Sequence, residues 1–524
     1  MIAALSRIAL AVLIALAPTV SSAKTFKWTA ASDVLSWDPH SQNAGLQNGI
    51  HAAVYESLVY YNSRTFEVEP MLARQWQQIT PTHLRLSLRT GVKFHDGRPF
   101  TADDAVFSIQ RAMKPNSTFQ PFTQGIARVV KIDDLRLDIH TSTPNPVLLN
   151  QLTELRILSE SWAKEHDSTN PKDVKSKTEN YAHRHANGTG PFMLKEWIPN
   201  RDITLTRNPA WWGPLESNVT EIIFSPLPSL TSRIAALESG SIDLVLDPTP
   251  QSLLALRNNS DFKLLNGPEN RTLFIGMDHF SDQLQGSNIK GKNPLKDRRV
   301  RKALYTAIDT AAITRVTLRG QGQVTGALVM PKVNGWSEAL NKRPEFSVSN
   351  AKALLSEAGF ANGFELELSC PNNRYPNDEE ICQAIKAMWE RIGVKAKLTT
   401  YPFTDYFPRL QRHELGVYLI GFGPATFDGL NTLQSLVQTR TRNSGDGNFG
   451  RYSNPAIDSL INRIKKEADP KVRTGLITEA LQLQNDDVAT IPLINLIIPW
   501  AMRSNVNIVH RPDNRIDWRI LQLN

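Results

Sequence analysis

Residue types that can carry catalysis or metal binding are present in this chain, but their spacing forms no recognised constellation. His183 and His185 lie in a polar stretch with no acidic or thiol group identified as a partner, which argues against a metal site. Carboxylate pairs such as Asp103–Asp104 stand where negative charge favours a helix N-terminus. The sequence lacks the G-x-S-x-G, H-E-x-x-H, G-x-x-x-x-G-K-[ST] and C-x-x-C motifs. These observations indicate a protein without catalytic machinery, cofactor or bound metal.

Cys370 and Cys382 are the two cysteines of the chain. Cys370 ends an alternating segment at 364–368 that predicts a strand, and Cys382 falls in the first turn of the predicted next helix. This arrangement permits a disulfide in an oxidising compartment. Two unlinked thiols remain the alternative, whereas a metal site has no further His or Cys at ligand spacing nearby.

The sequence pattern of secondary structure is clearest at residues 84–111. Leu84, Leu86 and Leu88 alternate with polar residues, which is typical of a half-buried strand. A His-Asp-Gly turn follows, and Thr101 then stands three positions before Asp104 at the start of an apolar helical pattern. This spacing predicts a strand, a turn and a helix with a capping box. Residues 50–60 are expected to form a short amphipathic helix.

Residues 84–111 also resemble the signature of a known family, the extracellular solute-binding proteins of family 5. The family pattern reads approximately LR-x-GVKFHDG-x-P-[FL]-TA-[DE]-DV-x-[FY]-S, and Ala105 is the departure, where Val is usual. Further segments are similar to family motifs in the same order: 187–192, 207–213, 297–309 and 349–359. The family comprises dipeptide- and oligopeptide-binding receptors of ABC importers. The resemblance covers nearly the whole mature chain.

The resemblance implies an α/β protein of the type II periplasmic binding protein fold. Two large α/β lobes are expected to be joined by a two-strand hinge, with strands at 273–277 and 491–501, and to carry a small inserted lobe. The expected boundaries are a signal peptide at 1–23, lobe I at 24–65, 187–276 and 493–524, the small lobe at 66–186, and lobe II at 277–492.

Two segments fall where the family lines its ligand cleft. Asn43, Ala44, Gly45 and Leu46 match the first ligand loop of the family, where small or uncharged residues suit hydrogen bonding through the backbone. A second wall is expected from residues 421–428, which resemble a GW-x-x-D segment of the family. Its candidate residues, with an aromatic position upstream, are Phe403, Phe422, Gly423, Ala425 and Asp428.

Ala425 is the departure with the largest consequence for the ligand. Peptide-binding members carry an aspartate there, whose carboxylate pairs with the peptide α-ammonium. A charge-assisted bond of this kind contributes about 1.5–3 kcal/mol, and alanine cannot supply it. Either Asp428 replaces the missing carboxylate by folding inward, or the ligand has no free α-ammonium.

The first residues predict export from the cytoplasm. Arg7 precedes a short apolar run ending at Ala17, and small residues then allow cleavage after Ala23, as in a signal peptide. A soluble protein of the periplasm is therefore expected. The chain has a net charge of +8, a pI of about 9.3, and 41% hydrophobic and 21% charged residues. Because its basic residues are dispersed among acidic ones, a solvated surface is favoured over nucleic-acid binding.

These observations together predict a monomeric, non-enzymatic receptor. It would capture a peptide or peptide-like solute by closing its lobes, and deliver it to an inner-membrane ABC permease with a cytoplasmic ATPase. The alternative, favoured by Ala425, is a receptor for a non-peptide solute such as a sugar derivative, an opine, a chelated metal or haem. A secreted hydrolase and a ligand-independent chaperone or adhesin are the rivals from other classes.

Overall fold

The computed structural model describes residues 24–174, 178–424, 426–442 and 444–524. The predicted signal peptide with its cleavage site at Ala23, and the departure at Ala425, lie outside the described residues. In the described part of the chain, no helix combines the length and the apolar character needed to cross a membrane.

Strands and helices alternate along most of the chain. The strands are β1 Thr25–Thr29, β2 Val59–Tyr61, β3 Val68–Pro70, β4 Ala73–Thr80, β5 His83–Leu88, β6 Ile126–Asp133, β7 Arg136–Thr141, β8 Phe192–Ile198, β9 Asp202–Arg207, β10 Glu221–Phe224, β11 Leu244–Leu246, β12 Phe262–Met277, β13 Gly322–Val324, β14 Phe364–Pro371, β15 Val394–Tyr401, β16 Val417–Phe422, β17 Ile491–Arg503, β18 Val506–Asn507 and β19 Gln522–Leu523. The helices are α1 Gly45–Val54, α2 Ala102–Ala112, α3 Leu148–Leu152, α4 Glu160–Glu165, α5 Tyr181–Arg184, α6 Leu230–Glu238, α7 Pro250–Leu256, α8 Arg298–Thr306, α9 Thr310–Ala312, α10 Val348–Glu357, α11 Asp378–Glu390, α12 Phe403–Gln411, α13 Gly429–Thr432, α14 Pro455–Ile464 and α15 Pro470–Asp486.

A mixed sheet runs through both large lobes in the order β15-β14-β16-β12-β17-β11-β1-β10-β9-β8, and β13 pairs with β17. The long antiparallel strands β12 and β17 join the lobes, which confirms the expected two-strand hinge. Their register is interrupted between Pro268 and Thr272. Such an irregularity bends a strand locally, so the chain bends where it passes from one lobe to the other.

The hydrophobic cores follow the lobes. Lobe I packs around a cluster containing Trp28, Trp37 and Trp500, and lobe II around two clusters on either side of its sheet. The antiparallel sheet β4-β5-β7-β6 of the small lobe has its own core with α2. Trp162, from the stretch assigned to the end of the small lobe, packs into the core of lobe I. The exact domain boundaries stay predictions.

The segment at residues 84–111 has the predicted local structure. In β5 the leucines are buried and the intervening residues are partly exposed, and α2 begins at Ala102 with a capping box. The backbone N–H of Thr101 donates to Asp104 Oδ2 at 2.9 Å. Strand and helix bury their apolar faces in the same core, so this segment forms the centre of the small lobe.

The helix expected at residues 50–60 is wrong in its bounds. Helix α1 already begins at Gly45 and ends at Val54, where Tyr55 is extended. Val59–Tyr61 is strand β2, paired with β3. The apolar residues after Val54 are therefore buried by strand pairing and aromatic packing, which a helical period does not reveal.

A buried ion pair holds the small lobe against lobe I. Arg111 of α2 is fully buried and donates to both carboxylate oxygens of Asp38, at 2.7 and 2.6 Å. Its Nη1 also lies 3.1 Å from His40 Nδ1. Burial by itself would raise the pKa of Asp38, but Arg111 and, to a smaller extent, His40 together lower it to about 2. The pair therefore stays charged at neutral pH.

Candidate functional site

A cleft of about 670 Å³ lies between the lobes at the hinge. Lobe I contributes Asp247 and Asn514, the hinge contributes Glu269, and lobe II contributes Arg319 and Tyr375. A volume of this order suits a small-molecule ligand. The lining mixes aromatic, amide and charged groups of both signs, which suits a polar solute with an apolar part.

On lobe II, Tyr375 lines this cleft and lies beside the aromatic residues predicted to form the second ligand wall. Tyr375 is buried and its hydroxyl oxygen accepts from the backbone N–H of Gly421 at 2.8 Å. Phe403 and Phe422 are half-buried against the lobe II core. The guanidinium of Arg374 lies 5.6 Å from the Tyr375 ring and 5.1 Å from the Phe403 ring. Phe403 thus has an exposed cation, Arg374, beside it. That Phe403 and Phe422 line one ligand wall stays a prediction.

Charged groups of the hinge stand next to this wall. Arg271 lies 5.9 Å from the Tyr375 ring and 3.1 Å from the Glu269 carboxylate. Burial raises the pKa of Glu269, although Arg271 opposes the rise. Desolvation likewise raises the pKa of Asp247, against the hydrogen bonds from Asn514. Both carboxylates are therefore poorly solvated, which makes them candidates to interact with a ligand.

Gly423 is needed for a close backbone approach between the wall and the hinge. A Cβ atom there would lie 1.9 Å from the carbonyl oxygen of Asn270. The side-chain amide of Asn270 donates to the carbonyl oxygen of Pro424 at 2.9 Å. The wall segment is therefore attached to β12 by a close backbone contact and a hydrogen bond.

Asp428 does not fold inward to replace the missing carboxylate, because it is bound within lobe II. Its two oxygens accept from Arg473 at 2.6 and 2.7 Å, and both side chains are almost fully buried. Oδ2 also accepts from Asn334 Nδ2 at 2.9 Å, and Oδ1 from the backbone N–H of Leu430 at 3.0 Å. Asp428 is thus a helix cap and an internal ion-pair partner of lobe II.

The four candidate residues of the first ligand loop lie at the start of α1 in lobe I. Ala44 is the N-cap, and Gly45 and Leu46 form the first turn. Asn43 is exposed, and its side-chain oxygen accepts from Asn48 Nδ2 at 2.8 Å. In the described part of the chain, no hydrogen bond joins these four residues to the wall of lobe II.

Sequence reasoning missed Arg374, Tyr375, Arg271 and Glu269. A signal was available for the first two, since they lie in the loop that follows strand β14, and ligands of α/β sheets bind beyond the carboxyl ends of strands. The hinge residues had no such signal, because they lie inside one long strand segment.

Cys370 and Cys382 form the disulfide that the sequence permitted. Cys370 lies near the end of β14 and Cys382 in the first turns of α11. The bridge therefore closes the loop that carries Arg374 and Tyr375. It therefore stabilises the part of the wall that contains these two residues.

The histidines considered for metal binding have other contacts. His183 Nε2 lies 3.1 Å from Glu179, an acidic partner that the sequence argument overlooked. The ring of His185 stacks on Tyr181 with centroids 3.7 Å apart.

Another group, His83, Asp138 and His140, brings its ligand atoms within 4.8 Å of one another in the described residues. Arg85 binds both oxygens of Asp138, each at 2.8 Å, so an ion-pair network accounts for this cluster on the small lobe.

Comparison with known proteins agrees with this architecture. Residues 67–444 match the family described as bacterial extracellular solute-binding proteins, family 5 Middle. Heme-binding protein A of Haemophilus influenzae is 27% identical over 506 residues, covering 91% of this chain and 88% of that protein. The dipeptide-binding protein of Escherichia coli is 25% identical over 511 residues, covering 92% and 91%.

Among solved structures, HbpA2 from Haemophilus parasuis superimposes with a TM-score of 0.84 at 25% identity, covering 95% of this chain and all of that chain. The relatives are binding proteins, and one of them, from Escherichia coli, is described as a periplasmic oligopeptide-binding protein. The ordered motifs, the hinge and these matches lead to one conclusion: the chain belongs to the family 5 extracellular solute-binding proteins.

Proposed function

We propose that this protein is the periplasmic solute-binding component of an ABC-type importer, and that it delivers its solute to an inner-membrane permease with a cytoplasmic ATPase. Family membership and the cleft at a two-strand hinge support this proposal. Only a closed state can make contacts from both lobes, so the solute itself would favour closure. The protein acts as a monomer, has no catalytic role, and does not bind nucleic acid.

The solute proposed first is a peptide or peptide-like molecule with an anionic group. Arg374 is the observation that carries this choice, because it is exposed beside Tyr375 and Phe403 and no described carboxylate lies within ion-pair distance of it. The Glu269 carboxylate, which attracts it more weakly, is paired with Arg271. A free guanidinium binds a carboxylate through two parallel hydrogen bonds. Phe403 and Phe422 would contact the apolar part, and Gly423 and Ala425 would line the same wall.

From lobe I, Asn43, Ala44, Gly45 and Leu46 would approach the solute on closure. Because Ala425 has no carboxylate and Asp428 is bound to Arg473, neither of these two residues can pair with an α-ammonium. We therefore expect the protein to tolerate a blocked N-terminus, in contrast to a receptor that recognises a free one.

A direct experiment identifies the solute class. Native mass spectrometry of protein purified without refolding should show a co-purified ligand. The refolded protein is then titrated calorimetrically with peptides and with the same peptides acetylated at the N-terminus. Similar affinity for both forms supports the proposal, whereas a strong preference for the free N-terminus would overturn the argument from Ala425.

Arg374→Gln tests the anionic group. Loss of a bidentate charge-assisted bond should weaken binding by on the order of 10-fold to 100-fold. Arg391→Gln is the matched control. Arg391 also lies beside an aromatic ring, 5.7 Å from that of Phe346, but it follows the C-terminal end of α11, whereas Arg374 precedes the N-terminal end. Equal effects of the two substitutions would contradict a role for Arg374 in binding.

A non-peptide solute is the second candidate, and haem is the case favoured by a specific observation. A relative that is similar over nearly the whole chain is named a heme-binding protein, and an aromatic wall beside Arg374 suits a flat apolar ligand with carboxylates. Tight haem binding that depends on Arg374, with no binding of peptides, would select this candidate.

A further inference from the structure

A second and smaller recess lies at the junction of lobe I and the small lobe. It has a volume of about 60 Å³, which is room for a few water molecules or one small ion. Arginines line it from both sides: Arg156 follows α3, and Arg511, Arg515 and Arg519 belong to the C-terminal segment. The recess is separate from the cleft between the large lobes.

Three of these four arginines have a carboxylate of their own. Arg511 pairs with Asp513 at 2.6 Å. Arg515 pairs with Glu154 at 2.8 Å. Arg519 pairs with Asp517 at 2.8 Å. Each of these ion pairs is neutral by itself, so the three pairs together add no net charge.

Arg156 is the exception. It is 9% exposed, and its one side-chain hydrogen bond to a described residue is a long contact of 3.4 Å from Nη1 to Ser57 Oγ. No described carboxylate lies within ion-pair distance of it. A buried guanidinium has five N–H donors and a full charge, and leaving it uncompensated is expensive.

The charge of Arg156 is retained in spite of its burial. Desolvation lowers its pKa to about 10, although the charge of Glu154, which is paired with Arg515, opposes the fall. This pKa is still well above neutral pH. Among the described residues, the buried donor Arg515 Nε has no hydrogen-bond partner, and neither has the buried acceptor Glu154 Oε2. The wall of the recess therefore offers an anion an unused N–H donor on Arg515 and the guanidinium of Arg156, which has no ion-pair partner of its own.

We propose that this recess is an anion site in which one small anion, of halide or nitrate size, binds the guanidinium of Arg156. The backbone of Arg156 accepts a hydrogen bond from His40 Nε2 at 3.0 Å, and residue 156 forms a β-bridge with Ser57. The anion thus joins the small lobe to lobe I, beside the buried Asp38–Arg111 pair. It acts as a structural ion and not as the transported solute.

Thermal unfolding in chloride or nitrate tests the site. The ionic strength is kept constant with a sulfonate buffer anion that is too large for the recess. An anion that binds only the folded protein raises stability in proportion to the logarithm of its concentration above Kd. The expected result is a saturable rise of the Tm, which Arg156→Met abolishes. In anion-free buffer this variant should be at least as stable as the parent protein.

Arg257→Met is the matched control, because it removes an exposed arginine and should keep the anion dependence. Crystals of the unaltered protein soaked in bromide give a second measurement that needs no variant. An anomalous peak within hydrogen-bonding distance of Arg156 supports the proposal. Water alone in the recess, or equal anion dependence in Arg156→Met, would overturn it.

Discussion

At the scale of single residues, the proposal for the ligand depends on Asp428, Ala425 and Arg374. A carboxylate contributes to ligand recognition only when it is free, and both oxygens of Asp428 are bound to Arg473 and Asn334. Asp428, the acidic residue nearest to Ala425 in the sequence, therefore stabilises lobe II. Arg374 is exposed beside the predicted wall, and the proposal of an anionic group on the solute rests on that cation.

Asp428→Ala should lower the free energy of unfolding by about 3–5 kcal/mol, since it leaves Arg473 buried without a partner. Urea unfolding measures this loss. Replacing both residues, as in Asp428→Leu with Arg473→Met, should recover much of it. If Asp428→Ala instead reduced ligand affinity at unchanged stability, Asp428 would belong to the binding site.

Gly423→Ala tests the close contact between the wall and the hinge. The added methyl group would meet the carbonyl oxygen of Asn270, so the backbone must shift, with an expected loss of about 1–3 kcal/mol. Gly475→Ala in α15 is the control, because nothing lies within 4 Å of a Cβ there and alanine favours the helix. Destabilisation by both substitutions alike would contradict the argument from contact.

At the scale of elements, the wall depends on how β14 connects to α11. The loop between them carries Arg374 and Tyr375, and the Cys370–Cys382 disulfide closes it. Asp378 at the start of α11 adds to this, because its Oδ2 accepts from the backbone N–H groups of Arg374 and Tyr375 at 2.8 and 3.0 Å. The loop is therefore ordered before a ligand arrives, which reduces the entropic cost of binding.

Removal of the disulfide should affect both stability and binding. The double variant Cys370→Ala with Cys382→Ala is expected to lose about 2–3 kcal/mol in the chain-entropy view of a loop this size. Its solute affinity should fall as well, because the loop with Arg374 becomes less ordered. Calorimetry and urea unfolding measure the two effects, and reduced wild-type protein should match the variant. Unchanged affinity would show that the loop is rigid without the bridge.

At the scale of the whole molecule, buried histidines make stability depend on pH. Burial lowers the pKa of His51, His95 and His279 to about 4 each. The unfolded chain binds these protons near pH 6.5, whereas the folded protein does not. Their stabilisation is therefore complete above about pH 6.5 and is lost as the pH falls toward about 4.

Urea unfolding at several pH values in this range should show stability falling by roughly 1.4 kcal/mol per pH unit for each such histidine. His279→Gln should reduce that slope by the roughly 1.4 kcal/mol per pH unit that one histidine contributes. Gln does not titrate, and its side-chain amide can keep the hydrogen bond to the carbonyl oxygen of Ala489. His185→Gln is the exposed control and should leave the slope unchanged. A slope that His279→Gln did not alter would contradict this assignment.

The sequence by itself determined the features that neighbouring residues decide. The alternation of Leu84, Leu86 and Leu88 predicted β5, and the Thr101–Asp104 spacing predicted the start of α2. The order of the motifs predicted the family and the hinge strands. These features persist because strand period, helix period and capping depend on contacts within a few residues of one another.

Only the tertiary structure decided the chemistry of the cleft and of the recess. Asp428 and Arg473 are 45 positions apart in the sequence. Arg271 of β12 lies 5.9 Å from the ring of Tyr375, which follows β14, and strand β16 lies between β12 and β14 in the sheet. The isolation of Arg156 depends on which carboxylates its three neighbouring arginines bind. Whether a charge is paired or free follows from the packing of distant segments, because desolvation and Coulomb energies act through space and not along the chain.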